Sequence, residues 1–513
     1  MNTQARSLYA LILRHHMIAI FKRHLRSVLE PTVPVGNVLA FHILALVIVS
    51  GCTVGPHYHV PAPATSVLFH HIATNGVTSM GTNVFSPETT AWWGVFHDST
   101  LTALVHEAAE TNLDLRIASA RILEIRALRL GVRAGLFPGV NANGSYTRSR
   151  PSENTVGGRN LKAFHIPLET DNYSAGFDMN WEVDLFGGTR RSLEAATADA
   201  AASVEAQREV LVSVLAEVGL SYLDLRGYQR QLQVSRENLK AQEQTHQLTR
   251  DRFKAGLTSE LDAARSEAQV AMTRSQMPPL EEGVERAIHR LSVLIGHPPA
   301  SLHARLDPLT TIPASPLEIP VGLPSDLLKR RPDIRRAERE LAAASARIGV
   351  AKSDLFPRFF LTGAVGLQSL DSADFLNAGS RSWSLGPSLK WPIFSAGRIR
   401  QNIQVQKARE LQAALRYEEV VLKSLEEVEN ALVSFGKEQE RHRALNDAER
   451  ATRRAASLAT EQHRAGLVDF LTVLEAERSL LATQEEQARS ERSLGQDLIR
   501  VYKALGGGWS ETP

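Results

Sequence analysis

Tyr173-Ser174-Ala175-Gly176-Phe177-Asp178-Met179-Asn180-Trp181-Glu182-Val183-Asp184-Leu185 places Tyr173, Ala175, Phe177, Met179, Trp181 and Val183 in alternation with mostly polar neighbours. A period of two reads as a β-strand with one apolar face. Trp383 to Phe394 repeats the pattern, with Trp383, Leu385, Pro387, Leu389, Trp391 and Ile393 in the apolar phase. Each stretch follows another extended candidate, Val140 to Arg148 and Phe359 to Ser369, across a polar, Gly-rich connection. The segments run about 9–13 residues with aromatics near their ends, close to what a tilted strand needs to cross a bilayer. The sequence therefore predicts two membrane hairpins, about 140–185 and about 359–394.

The hairpins belong to a larger duplication. Leu136-Phe137-Pro138 recurs as Leu355-Phe356-Pro357, Ser174-Ala175-Gly176 with Trp181 as Ser384-Leu385-Gly386 with Trp391, and Ala255-Gly256-Leu257 as Ala465-Gly466-Leu467. Gly256 to Gly296 spans the same forty residues as Gly466 to Gly506, with Arg290 and Arg500 at matching places. A period of about 210 residues is a duplicated half-domain and far exceeds a solenoid repeat.

Between the hairpins and the Gly turns lie long proline-free stretches, from Phe186-Gly187-Gly188 to about Ala255 and from Gly397 to about Arg464. At ~1.5 Å per residue each makes a helix of roughly 100 Å, longer than globular helices run. Val204, Leu211, Val218, Leu225, Leu232 and Leu239 follow one another at intervals of seven, flanked by Leu215 and Tyr222. This is a coiled-coil seam. The second stretch carries Leu411, Leu415, Leu422, Leu425 and Leu432. Glycine at each turn stops the helix in the left-handed conformation, and returning helices are expected over about 259–295 and 468–505. Antiparallel helical hairpins thus occupy about 189–296 and 397–505.

Four strands cannot close a barrel, and an open edge in lipid leaves backbone groups unsatisfied at several kcal/mol each. The chain must therefore oligomerise: a dimer reaches the minimum of about eight strands, and a trimer gives twelve. Four helical staves per chain in three copies make a tube wide enough to be hollow. A soluble sheet in a periplasmic scaffold is the other reading of the strands.

The N-terminal region sets the address. The apolar run Val38 to Val49 follows the basic run Lys22-Arg23-His24-Leu25-Arg26 and ends in Val49-Ser50-Gly51-Cys52. It is too short to span a bilayer and fits a secretory signal. The residues before Cys52 resemble a bacterial lipobox, in which the thiol receives the lipid. Met17 is an alternative start to Met1, because the basic run lies far upstream of the apolar one. Cys52 is the only cysteine, so disulfides within the chain and zinc-thiolate chemistry are excluded.

The divisions that follow are a signal or N-terminal extension (1–51), a lipidated tether (52–97), a first repeat (98–296), a linker (297–324), a second repeat (325–506) and a tail (507–513). Seven prolines from Pro298 to Pro324 forbid regular helix in the linker. Net charge is +2, and without residues 1–51 it becomes −2. No basic stripe with interleaved aromatics remains, which leaves nucleic-acid binding without support. Nucleophile elbow, phosphate loop and metal-ligand pairs at helical spacing are missing. The histidines His57, His59, His70 and His71 read as solvated tether. No enzymatic activity, cofactor or metal is expected.

Leu327-Leu328-Lys329-Arg330-Arg331-Pro332-Asp333-Ile334-Arg335-Arg336-Ala337-Glu338, continuing to Leu355-Phe356-Pro357, resembles the signature of the outer-membrane efflux factors, the TolC and OprM type. Gly51-Cys52-Thr53-Val54-Gly55-Pro56 with Tyr58 and Pro61 resembles the mature start of their NodT lipoprotein branch, and Trp92-Trp93 with Phe96 its next segment. The resemblance covers essentially residues 52–506. It implies an α+β membrane protein: a homotrimer closing a twelve-stranded β-barrel, continued through the periplasm by an α-barrel of helical hairpins. Such a duct docks on a periplasmic adaptor and an inner-membrane pump of the RND type. Thr53 after the lipidated cysteine favours the outer membrane. Type I protein secretion and a non-conducting scaffold are the competing functions.

The resemblance also implies site residues. Asp262, Asp469, Thr472 and Glu475 lie beside the Gly turns, where relatives ring the periplasmic mouth with aspartates; this chain departs from them at Thr472 and Glu475. His463 stands where some relatives carry a gate tyrosine. Arg252, Phe253, Gly256, Leu257, Arg464, Gly466 and Leu467 are the implied adaptor contact. For the signature residues Arg330, Arg331, Pro332, Asp333 and Glu338, helix initiation and strapping of the domain are the expected roles.

Overall fold

The computed structural model describes residues 53–61, 90–316 and 324–510. The signal, Cys52, His70 and His71, linker residues 317–323 and residues 511–513 lie outside the described residues. After a 3-10 turn at Trp92–Phe96 the first repeat runs α1 (Ser99–Thr111), α2 (Leu113–Ala134), β1 (Gly139–Ser149), α3 (Val156–Ala163), β2 (Thr170–Val183), α4 (Gly188–Lys254), α5 (Glu260–Ser275) and α6 (Met277–Leu294). One turn of helix, α7 (His303–Leu306), interrupts the linker. The second repeat runs α8 (Pro324–Arg330), α9 (Pro332–Ser353), β3 (Arg358–Ser369), β4 (Arg381–Lys390), α10 (Arg398–Arg464) and α11 (Phe470–Ala504).

The strands form one antiparallel sheet in the order β1-β2-β3-β4. Register fixes the faces. Val140 pairs with Met179, Phe177 with Val365 and Val365 with Trp383 on one face, while Asn141 pairs with Asp178, Asp178 with Ala364 and Ala364 with Ser384 on the other. At the centre Gly176 meets Gly366 so closely that a Cβ on either would lie 2.5 Å from a carbonyl oxygen across the pair.

Each long helix has 67 residues, about 100 Å at the α-helical rise. The two staple the same wall. Above its middle, α4 lies between α2 and α9, with α10 beyond α9; below, it lies between α5–α6 and α11, with α10 beyond α11. The wall is thus four staves wide throughout. Its middle is wrapped by the main core, in which Trp92, Phe96, Leu101 and Leu104 pack against Leu215, Val218 and Tyr222 of α4 and Leu498, Ile499 and Tyr502 of α11. Gly219 is obligatory there, since a Cβ would sit 2.6 Å from the Trp92 ring and 2.8 Å from Ile499. The Tyr222 hydroxyl, donating to Asp98 at 2.7 Å, ties the turn to the stave.

Four helices end alike. Gly256, Gly296, Gly466 and Gly506 have φ of 73, 74, 74 and 72°. The following amides close each end: Leu257 N–H donates to Arg252 O, His297 to Ser292 O, Leu467 to Gln462 O and Gly507 to Tyr502 O, all at 2.8–2.9 Å. Surroundings separate these positions. A Cβ on Gly256 meets nothing within 4 Å, whereas on Gly296 it would lie 2.8 Å from Thr111 O. Gly256→Ala is expected to cost only the left-handed conformation, about 1–2 kcal/mol. Gly296→Ala adds a backbone clash and should lower the thermal unfolding temperature further.

Several elements differ from the sequence reading. The strand placed over Trp383 to Phe394 ends at Lys390, because Pro392 lacks an amide for the ladder and Trp391 turns to bond Leu355 O at 3.1 Å. The returning helix expected over about 259–295 is two helices meeting at Gln276, where Pro278 and Pro279 begin the second. The linker admits one turn of helix between Pro299 and Pro308. Of the α10 leucines, only Leu432 is in the core; Leu411, Leu415 and Leu422 are exposed.

Candidate functional site

Four features of the wall stand out, and the first is the sheet itself. Its apolar face, with Val140, Phe177, Val365, Trp383, Leu385 and Leu389, is exposed. The other face is polar, and there Asn141 and Asn143 donate to the Asp178 carboxylate and Ser145 bonds Ser174. An apolar exterior backed by a polar interior is the patterning of an outer-membrane barrel wall. Among the described residues no helix is long and apolar enough to cross a membrane.

At the root of the sheet the duplication is visible in bonds. Trp181 Nε1 donates to Leu136 O at 3.1 Å, and Trp391 Nε1 donates to Leu355 O at 3.1 Å. The same root clasps the N-terminal segment. Val54 N–H donates to Phe186 O, Arg191 Nε donates to Val54 O at 3.1 Å, and Gly55 lies flat on Gly349. Tyr58 donates its hydroxyl to the signature residue Glu338, and burial pushes the phenol pKa up.

The remaining signature residues form a splice at mid-height. Arg331, the N-cap of α9, donates to Ala504 O at the end of α11 at 2.8 Å and pairs with Asp333 at 2.8 Å and Glu427 of α10 at 2.7 Å. Pro332 opens α9, and Asp333 accepts from the Ile334 amide at 3.0 Å. Arg330 is buried, and that burial pulls its guanidinium pKa down to about 10. The first repeat contains the same joint without the arginine. Asn112, the N-cap of α2, donates to Leu294 O at the end of α6 at 2.8 Å, and Thr111 donates to Ile295 O at 2.7 Å. Each splice joins a returning helix to an upper helix as one stave. Asn112 was not singled out by the sequence reading.

At the far end the two tips meet. Arg252 on the first donates to the carbonyl of His463 on the second at 3.4 Å. His463 Nδ1 donates to Val468 O at 3.1 Å, and its ring packs edge-on to Phe470 at 5.9 Å. Asp469 caps α11, accepting from the Thr472 amide at 3.1 Å and hydroxyl at 2.6 Å. Those bonds hold its carboxyl below the usual range, against the opposing field of Asp262. Asp262 accepts from Ser259 Oγ at 2.7 Å and Thr258 Oγ1 at 2.8 Å, which likewise lowers its pKa. The structure therefore brings Asp262, Asp469, Thr472 and His463 into one polar cluster. Glu475 stands exposed one turn further along α11, and Phe253, Gly256, Leu257, Arg464, Gly466 and Leu467 form an exposed rim around both turns.

Comparison with known proteins agrees with this architecture. The family described as Outer membrane efflux protein matches residues 104–297 and 323–507, one match for each repeat. Nodulation protein T of Rhizobium leguminosarum bv. trifolii is 32% identical over 465 residues, 90% of this chain and 96% of that protein. Cation efflux system protein CusC of Escherichia coli O6:H1 is 30% identical over 472 residues, 90% of this chain and 97% of that one. Among solved structures, the outer-membrane channel OprN superposes with a TM-score of 0.82 at 37% identity, covering 89% of this chain and all 100% of that one. The chain belongs to the outer membrane efflux protein family and is an outer-membrane efflux channel with the TolC-like fold.

Proposed function

We propose that three copies of this chain close a twelve-stranded barrel and a twelve-stave helical tube, forming the passive exit duct of a tripartite pump for small molecules. The open sheet carries this reading: β1 and β4 form edges that lipid cannot satisfy, and the face they border is already apolar. Leu123 and Leu130 on α2 and Leu411, Leu415 and Leu422 on α10 are exposed on the two outermost staves of the wall. A neighbouring copy covers them, which gives the leucines of α10 the partner they lack within one chain. Purified protein inserted into a planar bilayer should conduct; a stable assembly without conductance would favour a scaffold.

Cys52 carries the lipid in this reading. Residues 53–55 are clasped beside Phe186 at the root of the sheet, the level at which a membrane-facing N-terminus is needed. The mature N-terminal peptide should be lipid-modified at Cys52; an unmodified peptide reading through Gly51-Cys52 would contradict this.

The tips form the gate and the docking surface for an adaptor, which links the duct to an RND-type inner-membrane pump. Depressed carboxyl pKa values keep Asp262 and Asp469 negative above and through the ordinary carboxylate range. Their charge, and the caps it maintains, are lost only as pH falls below that range. Asp262→Asn with Glu475→Gln is expected to reduce cation over anion selectivity by about two- to fivefold, an effect of about 0.4–1 kcal/mol for partly screened charges. Unchanged selectivity and conductance would remove both residues from the mouth.

A further inference from the structure

On the upper wall α2, α4 and α9 enclose a groove of about 750 Å³, within the size range of pockets for drug-sized molecules. Its position follows from helical phase. On α9, Glu338 and Gly349 face the N-terminal segment, whereas Arg336 and Glu340 lie two residues to either side of Glu338, roughly on the opposite face. On α4, Arg208 and Gly219 face Trp509 and Trp92 of the central core, and the groove residues Ala206, Val210 and Glu217 again lie opposite. Five full turns beyond Arg336, Asp354 bonds Arg358, whose strand position belongs to the polar face of the sheet. The groove therefore lies on the same side of the wall as the polar face of the sheet, the side that becomes the lumen in the duct reading.

Its chemistry is mixed. Ile117, Ala206 and Val210 supply apolar surface, and the lining holds five carboxylates against two guanidinium groups, which makes the groove acidic. Arg336 is shared between Glu209 at 2.7 Å and Glu340 at 3.7 Å. Arg347 and Arg290 reach Asp199 and Glu217 from outside the lining, and one carboxylate remains in excess. We propose that this groove is a lumenal binding site for amphiphilic organic cations, one per chain, where cargo pauses on its way out. Apolar surface receives the body of such a molecule, and the surplus negative charge of the lining, to which Glu217 and Glu340 contribute at different heights, attracts its cationic group. A neutral or anionic solute of the same size lacks the second contribution.

The proposal rests on the duct reading, and the test separates the two. Assembled protein in lipid nanodiscs would be titrated with rhodamine 6G by fluorescence anisotropy, with fluorescein as the anionic control and planar-bilayer conductance measured on the same preparation. Wild type should bind the cation saturably at one site per chain. Glu217→Gln with Glu340→Gln, and separately Ala206→Phe, should each weaken binding about tenfold, while Glu340→Asp stays within about twofold. Conducting wild type without saturable rhodamine 6G binding, equal binding by both variants, or equal binding of fluorescein would overturn the site. Absence of conductance would instead overturn the duct.

Discussion

Arg331→Ala is expected to leave little assembled channel in the outer membrane. The side chain is 11% exposed and satisfies three separate groups: the Ala504 carbonyl at the end of α11 and the carboxylates of Asp333 and Glu427. Removing Arg331 strands the largely buried Asp333 carboxylate and the Ala504 carbonyl, while water takes over the nearly half-exposed Glu427, a loss of about 2–3 kcal/mol, which is a large part of a domain's net stability. Arg331→Lys keeps the charge but not the planar fork, so it should recover only part of the loss. The corresponding change in the first repeat is milder. Asn112→Ala removes the α2 cap and one donor to Leu294 O, about 1–2 kcal/mol. Outer-membrane yield and the unfolding temperature of solubilised protein rank the three. Equal stability of Arg331→Ala and wild type would show that the splice does not hold the stave.

The second large effect concerns the sheet. Leu385 lies on the apolar face opposite Gly363, and its neighbour Ser384 lies on the polar face opposite Ala364. Leu385→Arg places a cation in hydrocarbon, at about 2–4 kcal/mol near the midplane. Ser384→Arg places the same group in the aqueous bore, where the transfer penalty is absent. Folding into liposomes, followed by the mobility of unheated protein on gels, should fail for the first and succeed for the second. The reverse ranking would turn the barrel inside out.

The sequence carried much of this because the fold is written twice. Trp181 with Leu136 and Trp391 with Leu355 are the same bond in two repeats, and the recurrence of Leu-Phe-Pro and Trp announces the relation in the sequence itself. The joints were harder to see. Asn112 and Arg331 occupy the same place, 219 positions apart, yet they are different residues bonded to carbonyls of helices far away in the chain. The offset also changes between the upper helices and the Gly turns, because the β1–β2 connection is longer than the β3–β4 one. A single repeat distance of about 210 therefore misaligns the splices.

Other misses have local causes. Pro278 and Pro279 are visible in the sequence, but expecting one returning helix after the Gly turn passes over the break at Gln276 that they mark. Leu411, Leu415 and Leu422 show the right period for a seam, but periodicity does not say whether its partner belongs to the same chain. The tips illustrate the opposite case. Asp262, Thr472 and Asp469 follow from the resemblance and from their places beside the Gly turns, and the fold joins them because both Schellman ends stop their helices at the same level.

Native mass spectrometry of the channel released from membranes addresses the central claim most directly. Three chains are expected, since each contributes four strands and four staves to walls that cannot seal alone. A stable single chain, or a dimer that conducts, would contradict the account.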